Sequence, residues 1–223
     1  ADSVLIGKFF NENRSPVKFD EISPYVIDAL ISTEDERFYQ HHGIDYQGLF
    51  AAMKDIAQGN PRGASTITQQ LVKNLFKIRS QYSTGLLGKV PGLGILVMKS
   101  KEWITAIKIE NMYSKEDILT LYLNTVDFGS NAFGIKTAAK TYFKTTPQNL
   151  TAEQAAVLVG LLKATTTYNP KVNPKNSLAR RNVVLNNMFE HDKLTRRELD
   201  SLTQIPINLN YTIEKSYDGG ALY

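Results

Sequence analysis

Glu34-Asp35-Glu36-Arg37-Phe38-Tyr39-Gln40-His41-His42-Gly43 gathers acidic side chains, an aromatic ring, histidine and a glycine within ten positions. The run before it has a helical pattern. Ser23-Pro24 supplies an N-cap followed by proline at the first helical position, and Val26, Ile27, Leu30 and Ile31 recur at helical spacing. Continued through residues 34–43, this helix would carry Glu34, Phe38 and His41 on one face and end at Gly43. A carboxylate beside an aromatic ring is a candidate general base, because desolvation disfavours its charged form. The same ten residues also fit an acidic helix end with a core phenylalanine and a backbone-bonded histidine. Neighbouring histidines on a helix point apart and no H-x-x-x-H spacing exists, so no protein-held metal is predicted.

Outward from this stretch the chain stays helical. A helix is predicted from Tyr46 to Gln58 behind Asp45, broken by Gly59-Asn60-Pro61. Another starts near Ser65, with Ile67, Leu71, Leu75 and Ile78 as its apolar stripe. Residues 79–97 mix glycines and Pro91 with Leu86, Leu87, Val90 and Leu93, a composition that predicts a mobile, apolar loop. Helical periodicity returns from Ile95 to Tyr113. Further helices are predicted at Lys115–Asn124 behind a Ser114/Asp117 capping box, at Ala132–Phe143, at Ala152–Ala164, at Ser177–Glu190 and at Arg196–Leu202. The stretch up to Asp20 and Ile205–Ile213 are expected to be extended. The fold class is therefore mainly α with minor β structure.

With 223 residues, 42% of them hydrophobic, the chain can bury one core or two lobes sharing a cleft. It has no cysteine, which excludes disulfides, thiolate catalysis and cysteine metal sites. A net charge of +4 favours an anionic partner. The Lys and Arg residues are spread evenly rather than in the dense stripe of a nucleic-acid binder, so no nucleic-acid partner is expected. No run approaches the roughly 18 apolar residues of a membrane-spanning helix, and any anchor is expected upstream of Ala1.

Two more clusters carry chemistry. Gly63-Ala64-Ser65-Thr66-Ile67-Thr68-Gln69-Gln70-Leu71-Val72-Lys73-Asn74 places hydroxyls and amides at a helix mouth with a lysine two turns in, which suits a phosphate. It also fits a helix that Ser65 merely caps. Lys99-Ser100-Lys101-Glu102 sets two cations beside a carboxylate, a pattern that alone is an ordinary exposed charge cluster.

In order and spacing these blocks resemble the family 51 glycosyltransferases, the peptidoglycan glycosyltransferase domains of class A penicillin-binding proteins and their monofunctional relatives. Glu34–Gly43, Gly63–Asn74 and Lys99–Glu102 are similar to the first three family motifs. Lys115-x-x-Ile118-Leu119-x-x-Tyr122-Leu123-Asn124 is similar to the fourth, and Arg180-Arg181-Asn182-Val183-Val184-Leu185 to the fifth. Two positions depart from the pattern. Met98 stands where the third motif usually opens with arginine, and Ala64 where a second glycine is common.

The resemblance implies a lysozyme-like, two-lobed helical domain over residues 1–203, followed by a connector, 204–223, toward a transpeptidase domain. It implies polymerisation of lipid II into β-1,4-linked glycan with inversion and release of undecaprenyl pyrophosphate, at the extracytoplasmic face of the bacterial membrane. Glu34 would be the general base, and Glu102 would orient the donor sugar or the cations. Asp35, Phe38, His41, Ser65, Thr66, Thr68, Gln69, Gln70, Lys73, Asn74, Lys99, Lys101, Asn124, Arg180 and Arg181 would contact substrate. A divalent cation, Mg2+ or Mn2+, is a candidate bridge on the donor pyrophosphate. Residues 79–97 would meet the membrane surface, and the phosphoglycolipid moenomycin would inhibit. A lysozyme-type hydrolase and a non-catalytic module for anionic lipid are the competing readings.

Overall fold

The computed structural model describes residues 16–59, 63, 65–76 and 93–212. Among them are nine α-helices: α1 (Pro24–Glu34), α2 (Tyr46–Ala57), α3 (Ile67–Phe76), α4 (Leu93–Met112), α5 (Lys115–Thr125), α6 (Ile135–Phe143), α7 (Ala152–Leu161), α8 (Pro174–Glu190) and α9 (Arg196–Gln204). The β structure among the described residues is one isolated antiparallel bridge, Asp127 to Phe133. The mainly α class agrees with the sequence reading.

Capping chemistry explains where several helices begin. Ser114 and Asp117 form the predicted reciprocal box at α5, and Thr151 with Gln154 and Thr195 with Glu198 do the same at α7 and α9. Pro24 opens α1 as expected, but the hydroxyl of Ser23 donates to the carbonyl of Leu150 at 2.8 Å instead of capping. Helix α8 starts at Pro174, three residues before the predicted Ser177, because proline is pre-set for a first helical turn. Helix α4 starts at Leu93, so residues 93–97 are helical and not loop; residues 79–92 of the predicted loop lie outside the described residues.

The helices sort into two packing groups, α1 with α7, α8 and α9, and α3 with α4 and α5. Helix α7 is central to the first. Every residue of it except Glu153 and Gln154 is buried, which is why its sequence is apolar all round. In the second group Ile67, Leu71 and Val72 of α3 meet Ile118, Leu119 and Leu123 of α5 in one continuous core. Each such side chain contributes about 1.5–3 kcal/mol on burial. Asn124, at the end of α5, donates to the carbonyl of Val17 (2.8 Å) and accepts from its N–H (2.9 Å), tying the N-terminal segment to this group. The extended segment after α9 forms no strand, but the N–H groups of Asn210 and Thr212 reach carbonyls of α6. None of the helices among the described residues is long and apolar enough to cross a membrane.

Candidate active site

Helix α1 stops at Glu34, and this end builds the site. Asp35 leaves the helical region (φ −161°, ψ 70°), and residues 36–43 are turns and bends, so the predicted helix through His41 does not form. The reason is the set of partners for Asp35. His41 Nε2 donates to its Oδ1 and the N–H of Ile67 to its Oδ2, each at 2.9 Å. One buried carboxylate thereby caps α3 and folds the 36–43 loop back on itself.

The loop is locked at its far end too. Gly43 has φ +84°, and a Cβ there would lie 2.8 Å from the carbonyl carbon of Ala106, so the loop meets the α4 backbone where only glycine fits. Its carbonyl accepts from Thr66 Oγ1 (3.0 Å) and Gln69 Nε2 (2.9 Å). Phe38 is fully buried, with its ring edge-on to His41 and the Lys115 ammonium 4.2 Å from its centroid. Lys115 also donates to the carbonyl of His41 and pairs with Glu110, which accepts from Thr68 Oγ1 at 2.5 Å.

Five of the predicted substrate contacts have partners within the fold, although Asp35 also lines the cavity between the two helix groups. Asp35, Phe38, His41, Thr68 and Gln69 are buried and spend their polar or aromatic groups on neighbouring backbone and side chains. Arg181 and Asn124 are likewise engaged within the fold. Arg181 is fully buried, and its guanidinium donates to Asn182 and to the carbonyls of Thr203 and Ile205, whereas Asn124 is engaged by Val17.

What remains open is a cavity of about 480 Å³ between the two helix groups. Glu34 lines it, with Ser65, Thr66 and Gln70 from the α3 side and Arg180 from α8. Gln70 Nε2 donates to Glu34 Oε2 at 2.9 Å. Lys99 does not line the cavity but donates to Ser65 Oγ (2.9 Å) and pairs with Glu102 Oε2 (2.8 Å), a carboxylate 1% exposed. Lys73 and Asn74 on α3 and Lys101 on α4 are exposed and outside the cavity lining.

Sequence reasoning missed Arg37, Asp45, Lys163 and Asn187, all of which line the cavity. Arg37 and Asp45 had a legible signal. Asp45 precedes α2 at the N-cap position, where its Oδ1 accepts from the N–H of Gly48 at 3.0 Å, while Arg37 donates to both its oxygens. A Cβ on Gly48 would fall 2.3 Å from Asp45 Oδ2, so glycine is what lets the pair close. Burial opposes ionisation of Asp45, but the Arg37 and Gly48 hydrogen bonds hold its carboxyl below the usual range. Lys163 lies just past Leu161, where α7 ends short of the predicted Ala164, and no motif in the sequence marks it.

Glu36 reaches from the cavity rim to His191 at the end of α8 (2.9 Å), and it also pairs with Arg37. The His191 hydrogen bond, chiefly, lowers the Glu36 carboxyl below 4.5. Burial opposes the charged His191, but the carbonyl of Asn187 and the Glu36 carboxylate together raise it above 6.5. The histidine contribution is complete below 6.5 and is lost as pH rises through the raised value; the carboxylate contribution is complete above 4.5 and is lost as pH falls through the lowered one. The thermal midpoint of His191→Asn should therefore trail the parent most between pH 4.5 and 6.5 and converge with it at alkaline pH. A gap that widened above that window would contradict this pairing. Both groups are part-exposed, so the gap is small.

The comparisons with known proteins agree on one kinship. Residues 2–189 match the family model described as Transglycosylase. The chain is 40% identical over 213 residues to penicillin-binding protein 1A of Escherichia coli K12, covering 95% of this chain and 24% of that protein. It is 37% identical over 195 residues to penicillin-binding protein 1F of Bacillus subtilis 168, covering 86% of this chain and 26% of that protein. The crystal structure of penicillin-binding protein 1A from Haemophilus influenzae is similar in fold, with a TM-score of 0.54 at 24% identity, over 93% of this chain and 20% of that one. The chain thus spans about a quarter of the length of the curated relatives it matches.

Proposed function

The chain belongs to the transglycosylase family, and from that premise we propose that it polymerises lipid II into β-1,4-linked glycan with release of undecaprenyl pyrophosphate. The observation that carries this reading is a carboxylate, Glu34, held by Gln70 in a cavity whose other walls bear Arg37, Lys163 and Arg180. Glu34 takes the proton of the acceptor's 4-hydroxyl as its oxygen attacks the anomeric carbon of the donor. The bond to pyrophosphate breaks in the same displacement, with inversion. A pyrophosphate needs no proton to leave but needs its charge met, and cations in a partly dehydrated cavity meet it better than a second acid would.

This division of labour also offers cations in place of the arginine that Met98 replaces. Lys163 and Arg180 stand on the cavity wall, and Lys99, aligned by Glu102, supports Ser65 from behind. Among the described residues no cluster of three His, Asp or Glu is placed to hold a metal. Asp35 has both oxygens bonded within the fold, Asp45 is taken by Arg37, and Glu36 by Arg37 and His191. These residues do not fit a protein-held cation. A Mg2+ or Mn2+ ion, if used, would be held by the substrate's own phosphate oxygens and would offset their charge.

The wider setting belongs to the same reading: an upstream membrane anchor, a transpeptidase domain beyond the connector, an extracytoplasmic location, and contact of residues 79–97 with the membrane through Leu86, Leu87, Val90 and Leu93. One assay tests the set. Lipid II in liposomes should yield a glycan ladder that moenomycin suppresses, and deleting Leu86–Leu93 should lower both the yield and sedimentation with the liposomes. Shortening of preformed glycan without ladder formation would favour the hydrolase; intact liposome binding after the deletion would remove the membrane role.

A further inference from the structure

The donor that holds Glu34 is itself held. Gln70 Nε2 donates to Glu34 Oε2 at 2.9 Å, and Gln70 Oε1 accepts from the Tyr122 hydroxyl at 3.0 Å. Tyr122 lies on α5, is 1% exposed and does not line the cavity. Among the described residues its hydroxyl has no other hydrogen-bond partner, and Glu34 Oε1 has none. A primary amide carries one acceptor oxygen and one donor nitrogen, so whichever group faces Tyr122 dictates what faces Glu34. Burial first, and the Glu34 carboxylate second, push the phenol's pKa up, which keeps its proton in place as the donor of this bond. The Glu34 carboxylate can only accept and so faces the amide nitrogen, and the Tyr122 hydroxyl anchors the amide from the other side by donating to its oxygen. The reversed amide would set its oxygen against Glu34 Oε2 and lose that bond, even though the Tyr122 hydroxyl oxygen could accept from its nitrogen.

We infer that Tyr122 is a positioning residue for glycosyl transfer: acting through the Gln70 amide, it pins Glu34 by Oε2 and leaves Oε1 as the oxygen that receives the acceptor proton. The inference rests on the reading of Glu34 as general base. It gives a buried tyrosine on α5, four helices along the chain from the carboxylate at the end of α1, a part in the reaction that its packing alone would not suggest. A carboxylate pinned by one oxygen presents the other in a fixed direction, and misplacing a catalytic group by a fraction of an ångström is costly to turnover.

The test is a double-mutant cycle on the full chain, with kcat and KM for lipid II measured for Tyr122→Phe, Gln70→Ala, the pair and Glu34→Gln, alongside thermal midpoints. Tyr122→Phe keeps the ring and removes one neutral hydrogen bond, so kcat should fall about 5–10-fold with KM within roughly twofold. Gln70→Ala should fall at least as far, and adding Tyr122→Phe to it should cost nothing more, because the tyrosine acts only through the amide. A structural role would lower the thermal midpoint and leave kcat of the folded protein alone. Unchanged kcat in Tyr122→Phe, or the same fold-loss in the Gln70→Ala background, overturns the inference. Should Tyr122→Phe fold poorly, Gln70→Leu supplies the comparison with Tyr122 intact, and an unchanged kcat there overturns it equally. Glu34→Gln separates the two levels: if it is inactive the base reading stands whatever Tyr122 does, and if it is active that reading falls first.

Discussion

Glu34→Gln is expected to lower lipid II polymerisation by about 10²–10⁴-fold, the usual weight of a positioned general base, while the thermal midpoint stays near that of the parent. The substitution keeps the side chain's size, and its carbonyl can still accept from Gln70 Nε2, so the hydrogen bond that anchors this position survives. What is lost is the basic oxygen. Continuous polymerisation on gels, combined with a thermal melt of the same sample, separates loss of chemistry from loss of fold. An active variant would move the base elsewhere, and the remaining carboxylates of the cavity are poor replacements. Asp35 is bonded through both oxygens and Asp45 is engaged by Arg37.

The second large effect is on stability. Arg181 is fully buried, and two of its three partners, the carbonyls of Thr203 and Ile205, belong to the C-terminal end of α9. A guanidinium there satisfies acceptors that the helix cannot satisfy itself and opposes the partial negative charge at that end. Burial pulls the arginine's pKa down but leaves it charged at any working pH. Arg181→Met fills much of the volume and abandons those carbonyls, at an expected cost of about 2–4 kcal/mol. For a chain of this size that is a fall of roughly 5–15 °C in thermal midpoint. The kcat/KM of the folded fraction should stay within about threefold of the parent. A phosphate-binding arginine would give the opposite pair of results, an unchanged midpoint and a collapse in kcat/KM.

Arg180 and Arg181 show how far sequence goes at such a site. Adjacent residues on a helix point about 100° apart, so a paired arginine motif cannot by itself say which one faces a ligand. The pattern held the answer, because Arg181 falls on the line of Ser177, Val184, Leu185 and Met188, all buried on α8. A charged residue on that line is a scaffold cation, and Arg180, one step off it, is the cavity cation. Helix existence was legible for a related reason. Capping boxes and apolar periodicity are local, and α5, α7 and α9 begin where their boxes put them.

The end of α1 was not legible, since it depends on distant partners. Asp35 terminates the helix through His41, six residues on, and the N–H of Ile67, thirty-two residues on. Once the helix stops there, the supposed shared face of Glu34 and Phe38 disappears. The ring turns to His41 and Lys115, and Glu34 is positioned from α3 and α5 instead. The residues first read as one catalytic motif are therefore of two kinds. Asp35, His41 and Gly43 bend the chain and lock it to α3 and α4, and Glu34 is the group this bend presents to the cavity.

We propose that Glu34 drives a sugar hydroxyl, not water, onto an anomeric carbon whose leaving group is a pyrophosphate. The most direct measurement is product analysis after incubating the chain with isotopically labelled lipid II. Linkage is read by NMR and by muramidase digestion, and the released lipid by mass. The products should be β-1,4-linked glycan with one undecaprenyl pyrophosphate released per bond formed, and Glu34→Gln should yield neither at a comparable rate. Free disaccharide-peptide released into water, or equal glycan yield from Glu34→Gln, would contradict it.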